Sequence, residues 1–188
     1  MPYDSTATKK RLIDAAFDEF AERGLAGARV DRIAAAASAN KQAIYAYFGS
    51  KDDLFRAVLA ERCDAILDAV PFDPTDLPSF AGGLFDYFLE NPKIVRMTLW
   101  RQLELPGEPE HEIVTAKVRA LAKVYDLGAR QGAEQLFQLV VGLATAPFTV
   151  SSFAPTAKDA ATCARLAASR RSVVAATSAI VDTMARKI

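Results

Sequence analysis

The sequence predicts an all-α protein, and three observations predict it. Apolar residues recur three and four positions apart along most of the chain, the spacing of one helix face. No Val/Ile/Thr-rich alternating run occurs, so no half-buried strand is expected. Pro71, Pro78, Asn91-Pro92 and Gly132 fall at the edges of the periodic stretches, where they punctuate helices. With 188 residues, 51% hydrophobic and 24% charged, the chain has the length and apolar content for a substantial core. Lys+Arg and Asp+Glu both count 23, so the formal net charge is zero and any contact with nucleic acid has to rest on a local basic face.

In order, Thr8 to Arg23 is expected to be a helix, with Leu12, Ile13, Ala16, Phe17 and Phe20 in one stripe and Gly24 supplying a left-handed terminus. Val30, Ile33, Ala34 and Ala37 give the next helix a narrow apolar face suited to close packing. Ser38 to Lys41 interrupt that face. A second short period, Ile44 and Phe48, leaves Gln42, Tyr45 and Ala46 on the opposite side, where a duplex could be met. Two short helices so close in sequence must cross steeply, the helix-turn-helix arrangement whose second member lies in the major groove. Ser50-Lys51-Asp52-Asp53 reads as a capping box opening another helix. Arg29, Arg32, Lys41 and Lys51, with Lys9, Lys10 and Arg11, offer the local basic face.

The run YAYFGSKDDLF from Tyr45 to Phe55 resembles the Tyr-x-x-Phe-x-Ser-Lys-x-x-Leu-Phe signature that ends the DNA-binding head of TetR-type transcriptional regulators. The similarity extends back to Thr8 and covers the first third of the chain. The chain departs from the family pattern at Arg29, where a small polar cap is usual, at Ser38, where the turn usually has Gly, at Asn40 in place of Ser, and at Gln42 and Ala43 in place of Gly and Thr. The resemblance places Lys41, Gln42, Ala43, Tyr45 and Tyr47 at DNA-facing positions, and Arg29 and Lys51 at backbone-contact positions. It also implies residues 1–50 as the DNA-binding domain and 51–188 as a helical-bundle regulatory and dimerisation domain.

Past the head, Lys51 to Val70 is expected as one helix with Leu54, Phe55, Val58, Leu59, Ile66 and Leu67 inward, ended by Pro71. Phe72 to Pro78 reads as a loop, Ser79–Glu90 and Pro92–Glu104 as a helix pair split at Asn91-Pro92, and Glu112 to Arg130 as a further helix. Ala133 to Phe153 follows. After Ala154-Pro155 a last helix from Ala168 to Arg186 puts Val173, Thr177, Ile180, Val181, Met184 and Ile188 on one side. Gly142, Ala144 and Ala146 allow close helix approach, so the last two helices suit a four-helix bundle across a two-fold axis. The alternative is that both simply close the core of one subunit.

Enzymatic readings fare poorly. The single histidine, His111, permits neither a His-based triad nor a multi-His metal site within one chain. Gly82-Gly83 lies inside a helical pattern and follows no strand, so no phosphate-cradling loop is expected, and Asp52-Asp53 complement a helix start. No catalytic residues, metal or cofactor are expected. Cys63 and Cys163 are too far apart for ligand spacing and read as plain helical thiols; MPYDSTATKK lacks the apolar region of a secretory signal, which points to the cytoplasm. Leu136 to Val150 is too short to span a bilayer, and no membrane partner is expected. An effector would meet Phe85, Phe88, Met97, Trp100, Tyr125 and Phe137, with Tyr87 nearby; Trp100 and Tyr125 are the first choices because each adds a polar handle to a flat ring. The sequence thus suggests a homodimeric repressor that binds a double-stranded palindromic operator and is released by a small apolar or aromatic effector. The rivals are an effector-independent DNA-binding regulator and an all-α ligand-binding protein or enzyme without DNA function.

Overall fold

The computed structural model describes residues 5–107, 112–127, 130–149, 160–184 and 186–187. The elements are α1 Ser5–Gly27, α2 Val30–Ala36, α3 Lys41–Phe48, α4 Lys51–Ala69, α5 Leu77–Glu90, α6 Pro92–Glu104, α7 Glu112–Val124, β1 Tyr125–Asp126, α8 Arg130–Thr149, α9 Ala160–Met184 and β2 Arg186–Lys187. The all-α expectation holds. Among the described residues the one addition is a two-residue antiparallel pairing, Tyr125 with Lys187 and Asp126 with Arg186. It ends α7 six residues before the expected Arg130, because the partner lies some sixty residues away and leaves no local periodic signal.

Packing divides the chain into two compact units, Met1–Ala65 with Lys93–Glu108, and Ile66–Pro92 with Pro109–Ile188. In the first unit the α1 stripe does what its spacing requires: Leu12, Ala16 and Phe20 are fully buried with Ile33 of α2, Ile44 of α3 and Leu54, Phe55 and Val58 of α4. Phe20 meets Phe55 edge to face at 5.0 Å between centroids. Each such side chain removed from water contributes roughly 1.5–3 kcal/mol, which is how helices of seven and eight residues persist here when alone they would not.

The helix α6 belongs to this unit by packing. Met97 is buried in the same core, with Trp100 and Leu105 against it. At Gly24 the backbone leaves helical geometry (φ 69°, ψ 179°), and a Cβ there would stand 2.8 Å from the Trp100 ring. The freed amides of Leu25 and Ala26 donate to the Glu104 carboxylate at the end of α6.

In the second unit α5 packs against α8 and α9, and α7 against α8. Its core takes Leu77, Phe80, Ala81, Leu84, Phe85 and Phe88 from α5, Val118 and Leu121 from α7, Leu136, Phe137, Val140 and Ala144 from α8, and Val173 from α9. The buried Thr177 hydroxyl donates to the Val173 carbonyl at 2.9 Å, so it costs nothing unpaired. The Arg170 Nε lies 2.8 Å from both Asp86 carboxylate oxygens, tying α9 to α5.

Helix limits differ from expectation where caps or tertiary packing decide them. Asp76 accepts from the Ser79 amide at 3.1 Å and starts α5 at Leu77, so Pro78 falls in the first helical turn instead of the loop. The last helix begins at Ala160, eight residues before Ala168, because its alanine-rich start has helix propensity but no apolar stripe. On α9, Val173 and Thr177 point into the unit's own core, whereas Ile180, Val181 and Met184 are half-buried. His111, Phe153, Ala154-Pro155 and Ile188 lie outside the described residues, as does the side chain of Leu67.

Candidate nucleic-acid interface

The reading unit is built from its caps. Arg29 is extended and makes no side-chain cap for α2. Instead the Glu19 carboxylate of α1 accepts the Arg29 backbone N–H at 3.0 Å and Arg32 Nε at 2.8 Å, with Arg23 at 3.6 Å. Partial burial pushes the Glu19 carboxyl up, but the bonds from Arg32 and Arg29 and the charges of Arg32 and Arg23 outweigh it, and the net displacement is below the ordinary 4.5. Arg11 Nε donates to the Ala37 carbonyl at 3.2 Å and closes the other end of α2. Ser38, in the place of a glycine, takes φ 51°, a left-handed turn that costs a non-glycine residue roughly 1 kcal/mol. Asn40 accepts the Ala43 amide at 2.8 Å and opens α3, and Ser50 and Asp53 form the expected box, Asp53 N–H to Ser50 Oγ at 3.0 Å and Ser50 Oγ to Asp53 Oδ2 at 2.6 Å.

These fixings leave one side of α3 free. Ile44 is fully buried and anchors it. Lys41, Gln42, Tyr45 and Ala46 are exposed, whereas Ala43 and Tyr47 are half-buried and pack on the core. Eight residues make a rod of about 12 Å, matched to a major groove about 12 Å wide. Arg29 is exposed, and the half-buried Lys51 donates from Nζ to the Ala28 carbonyl at 3.3 Å, so both stand beside the start of α2. Lys9 lies over the Phe48 ring, 5.8 Å from its centroid. Lys41 pairs with Asp31 of α2 at 3.0 Å, and the Asp31 hydrogen bond and charge raise the ammonium pKa above its ordinary value.

The six effector candidates divide between the two units. Met97 and Trp100 lie in the first unit, Trp100 on the Gly24 turn. The others lie in the second unit. Phe85 and Phe88 meet through Phe148, at 5.2 and 6.5 Å, and Phe137 stacks on Phe80 at 6.3 Å. Tyr125 is buried, and burial together with Asp73, Asp76 and Asp182 pushes its hydroxyl pKa up. Beside these rings, the Lys117 ammonium lies 4.2 Å from the Phe72 centroid and 5.1 Å from that of Phe80, with burial pushing its pKa down. Separately, a depression of about 350 Å³ is lined by Gln135, Gln138, Leu139 and Met184. Sequence reasoning missed Glu19, Asp31, Glu104 and Lys117. Each acts on a residue ten or more positions away, and no spacing signal announces such a partner.

Comparison with known proteins bears on this geometry. Residues 12–58 match the family model described as bacterial regulatory proteins of the tetR family, and residues 76–178 match the one described as the tetracyclin repressor-like C-terminal domain. The second match alone spans more than half of the chain. The chain belongs to the TetR family. A TetR-type relative, the HTH-type transcriptional repressor SCO4008 of Streptomyces coelicolor, is 45% identical over 114 residues, 58% of this chain and 59% of that repressor. The repressor NicS of Pseudomonas putida is 32% identical over 95 residues, 47% of this chain and 45% of NicS. These two matches therefore span about half of the curated relatives' length. Among solved structures, SCO4942 of Streptomyces coelicolor, assigned as a transcriptional regulator, superposes with a TM-score of 0.72 at 33% identity, over 92% of this chain and 97% of that one. Among the described residues no group of acidic, His and Cys side chains could hold a metal ion, and no helix is long and apolar enough to cross a membrane.

Proposed function

We propose that this TetR-family protein is a transcriptional repressor that binds a palindromic DNA operator as a homodimer and is released by a small apolar or aromatic effector. The observation that carries the DNA reading is the free face of α3, where Lys41, Gln42 and Tyr45 stand exposed on a helix anchored by Ile44 and capped by Asn40. Lys51 and Arg29 supply phosphate contacts on the flank. The repressor sense draws on the names of SCO4008 and NicS. Dimerisation draws on α8 and α9: Leu139 is 43% exposed, and among the described residues Gly142 has nothing within 4 Å of where a Cβ would sit, so both leave room for a partner helix. The effector would enter among the rings of the second unit.

Selection from random duplexes tests the DNA reading. A two-fold symmetric motif with half-sites about one helical turn or somewhat more apart is expected, and failure to enrich any duplex would overturn it. A melting screen with small apolar and aromatic compounds tests the effector reading. If no compound both raises the melting temperature and frees the operator, the effector-independent regulator is the better description.

A further inference from the structure

Of Arg29, Lys41 and Lys51, the three cations the family resemblance sets against DNA, Lys41 stands apart. Arg29 and Lys51 form no ion pair among the described residues; Lys51 donates to a backbone carbonyl, and the Arg29 side chain is exposed. Lys41 Nζ, by contrast, is 3.0 Å from Asp31 Oδ1 and 3.2 Å from Oδ2. Asp31 sits in the first turn of α2, where a carboxylate complements the helix dipole without reaching further. Here it bridges to the first residue of α3, and its side chain is 72% exposed. A carboxylate on a surface that approaches a polyanion weakens binding to every sequence unless the duplex offers it a donor. The major-groove donors are the cytosine N4 and adenine N6 amino groups; the C·G pair suits the Lys–Asp pair better, because guanine presents two acceptors, O6 and N7, to the ammonium, where thymine presents only O4 beside a methyl group. A Lys–Asp pair 3.0 Å apart presents the complementary order of donor and acceptor.

Building on the DNA-binding reading above, we propose that Asp31 is a specificity-determining residue: it accepts from cytosine N4 and holds Lys41 on the guanine edge, so that the pair reads one C·G base pair in each half-site. Without Asp31 the Lys41 stem is free to swing its charge to the nearest phosphate, which exchanges base discrimination for sequence-independent affinity.

The test compares the full-length parent with Asp31→Ala and Asp31→Asn, by selection from random duplexes and by salt titration on selected and unrelated DNA. The parent motif should hold a C·G pair in each half-site whose preference falls roughly tenfold in both variants. Binding to unrelated DNA should tighten several-fold, with the salt slope rising by about one as Lys41 gains a phosphate. An unchanged motif and slope would reduce the pair to a surface ion bridge and overturn the inference. A uniform loss on all DNA with a lowered melting temperature would make Asp31 a support of the head, and would overturn it too. Failure of the DNA reading itself would show in the parent, which would then enrich no sequence.

Discussion

Glu19 replaces a cap that the start of α2 lacks. Where a small hydroxyl side chain would serve the first free amides locally, Arg29 offers none, and a carboxylate one helix away accepts its N–H together with the Arg32 guanidinium. Its folded pKa is lowered, so its stabilising contribution is present above the unfolded value near 4.5 and is lost as pH falls through the folded value. Glu19→Gln should therefore cost roughly 1–2 kcal/mol at neutral pH, as loss of a charge-assisted hydrogen bond does. The gap to the parent should close as the medium is taken below the ordinary carboxyl range; urea unfolding across that range checks it, and a constant gap would show that the charge of Glu19 is irrelevant. On the reading face, Lys51→Ala should reduce the salt slope of DNA binding by about one unit. Equal slopes for variant and parent would remove Lys51 from the phosphate contacts.

At the scale of elements, the head is not closed by its first four helices. Met97, Trp100 and Glu104 bring α6 into its core and onto the Gly24 turn. A fragment ending at Ala65 should melt well below the full chain, because it leaves the Gly24 turn and the Leu25 and Ala26 amides without those partners. Gly24→Ala combines a positive φ with a 2.8 Å approach to the Trp100 ring and should destabilise the head by about 1–3 kcal/mol. A melting curve and a proteolysis time course measure both. By the same geometry Trp100→Ala opens a hole beside the Gly24 turn, so reduced head stability is its expected first effect, before any change in response to an effector.

For the whole molecule, the proposed dimer turns on which face of α8 and α9 is left over. Val173 and Thr177 are used inside the second unit, whereas Leu139, Gly142 and, on α9, Ala175, Ser178 and Ala179 remain exposed. Leu139→Glu should then bring two like charges close together at a self-facing surface and yield monomers in sedimentation. A dimer that persists with unchanged affinity would move the interface elsewhere. The Asp86–Arg170 bridge and the ring contacts of α5 with α8 would be unaffected, since they lie within one chain.

What the sequence determined by itself is whatever neighbouring residues decide: the helical class, the stripe of α1, the short α2–α3 pair, the Asn40 and Ser50 caps and the break at Asn91-Pro92. Each follows from contacts within about four residues, and each carries a spacing or capping signature. The exposure of Gln42, Tyr45 and Ala46 was legible for the same reason, because Ile44 and Phe48 fix which side of α3 turns inward. Only the tertiary structure decided that Glu19 caps α2, that Asp31 holds Lys41, that α6 joins the head, and that the aromatic candidates separate into two units. Those partners come from ten to eighty positions away, where periodicity is silent and only the folded chain says which side chains meet.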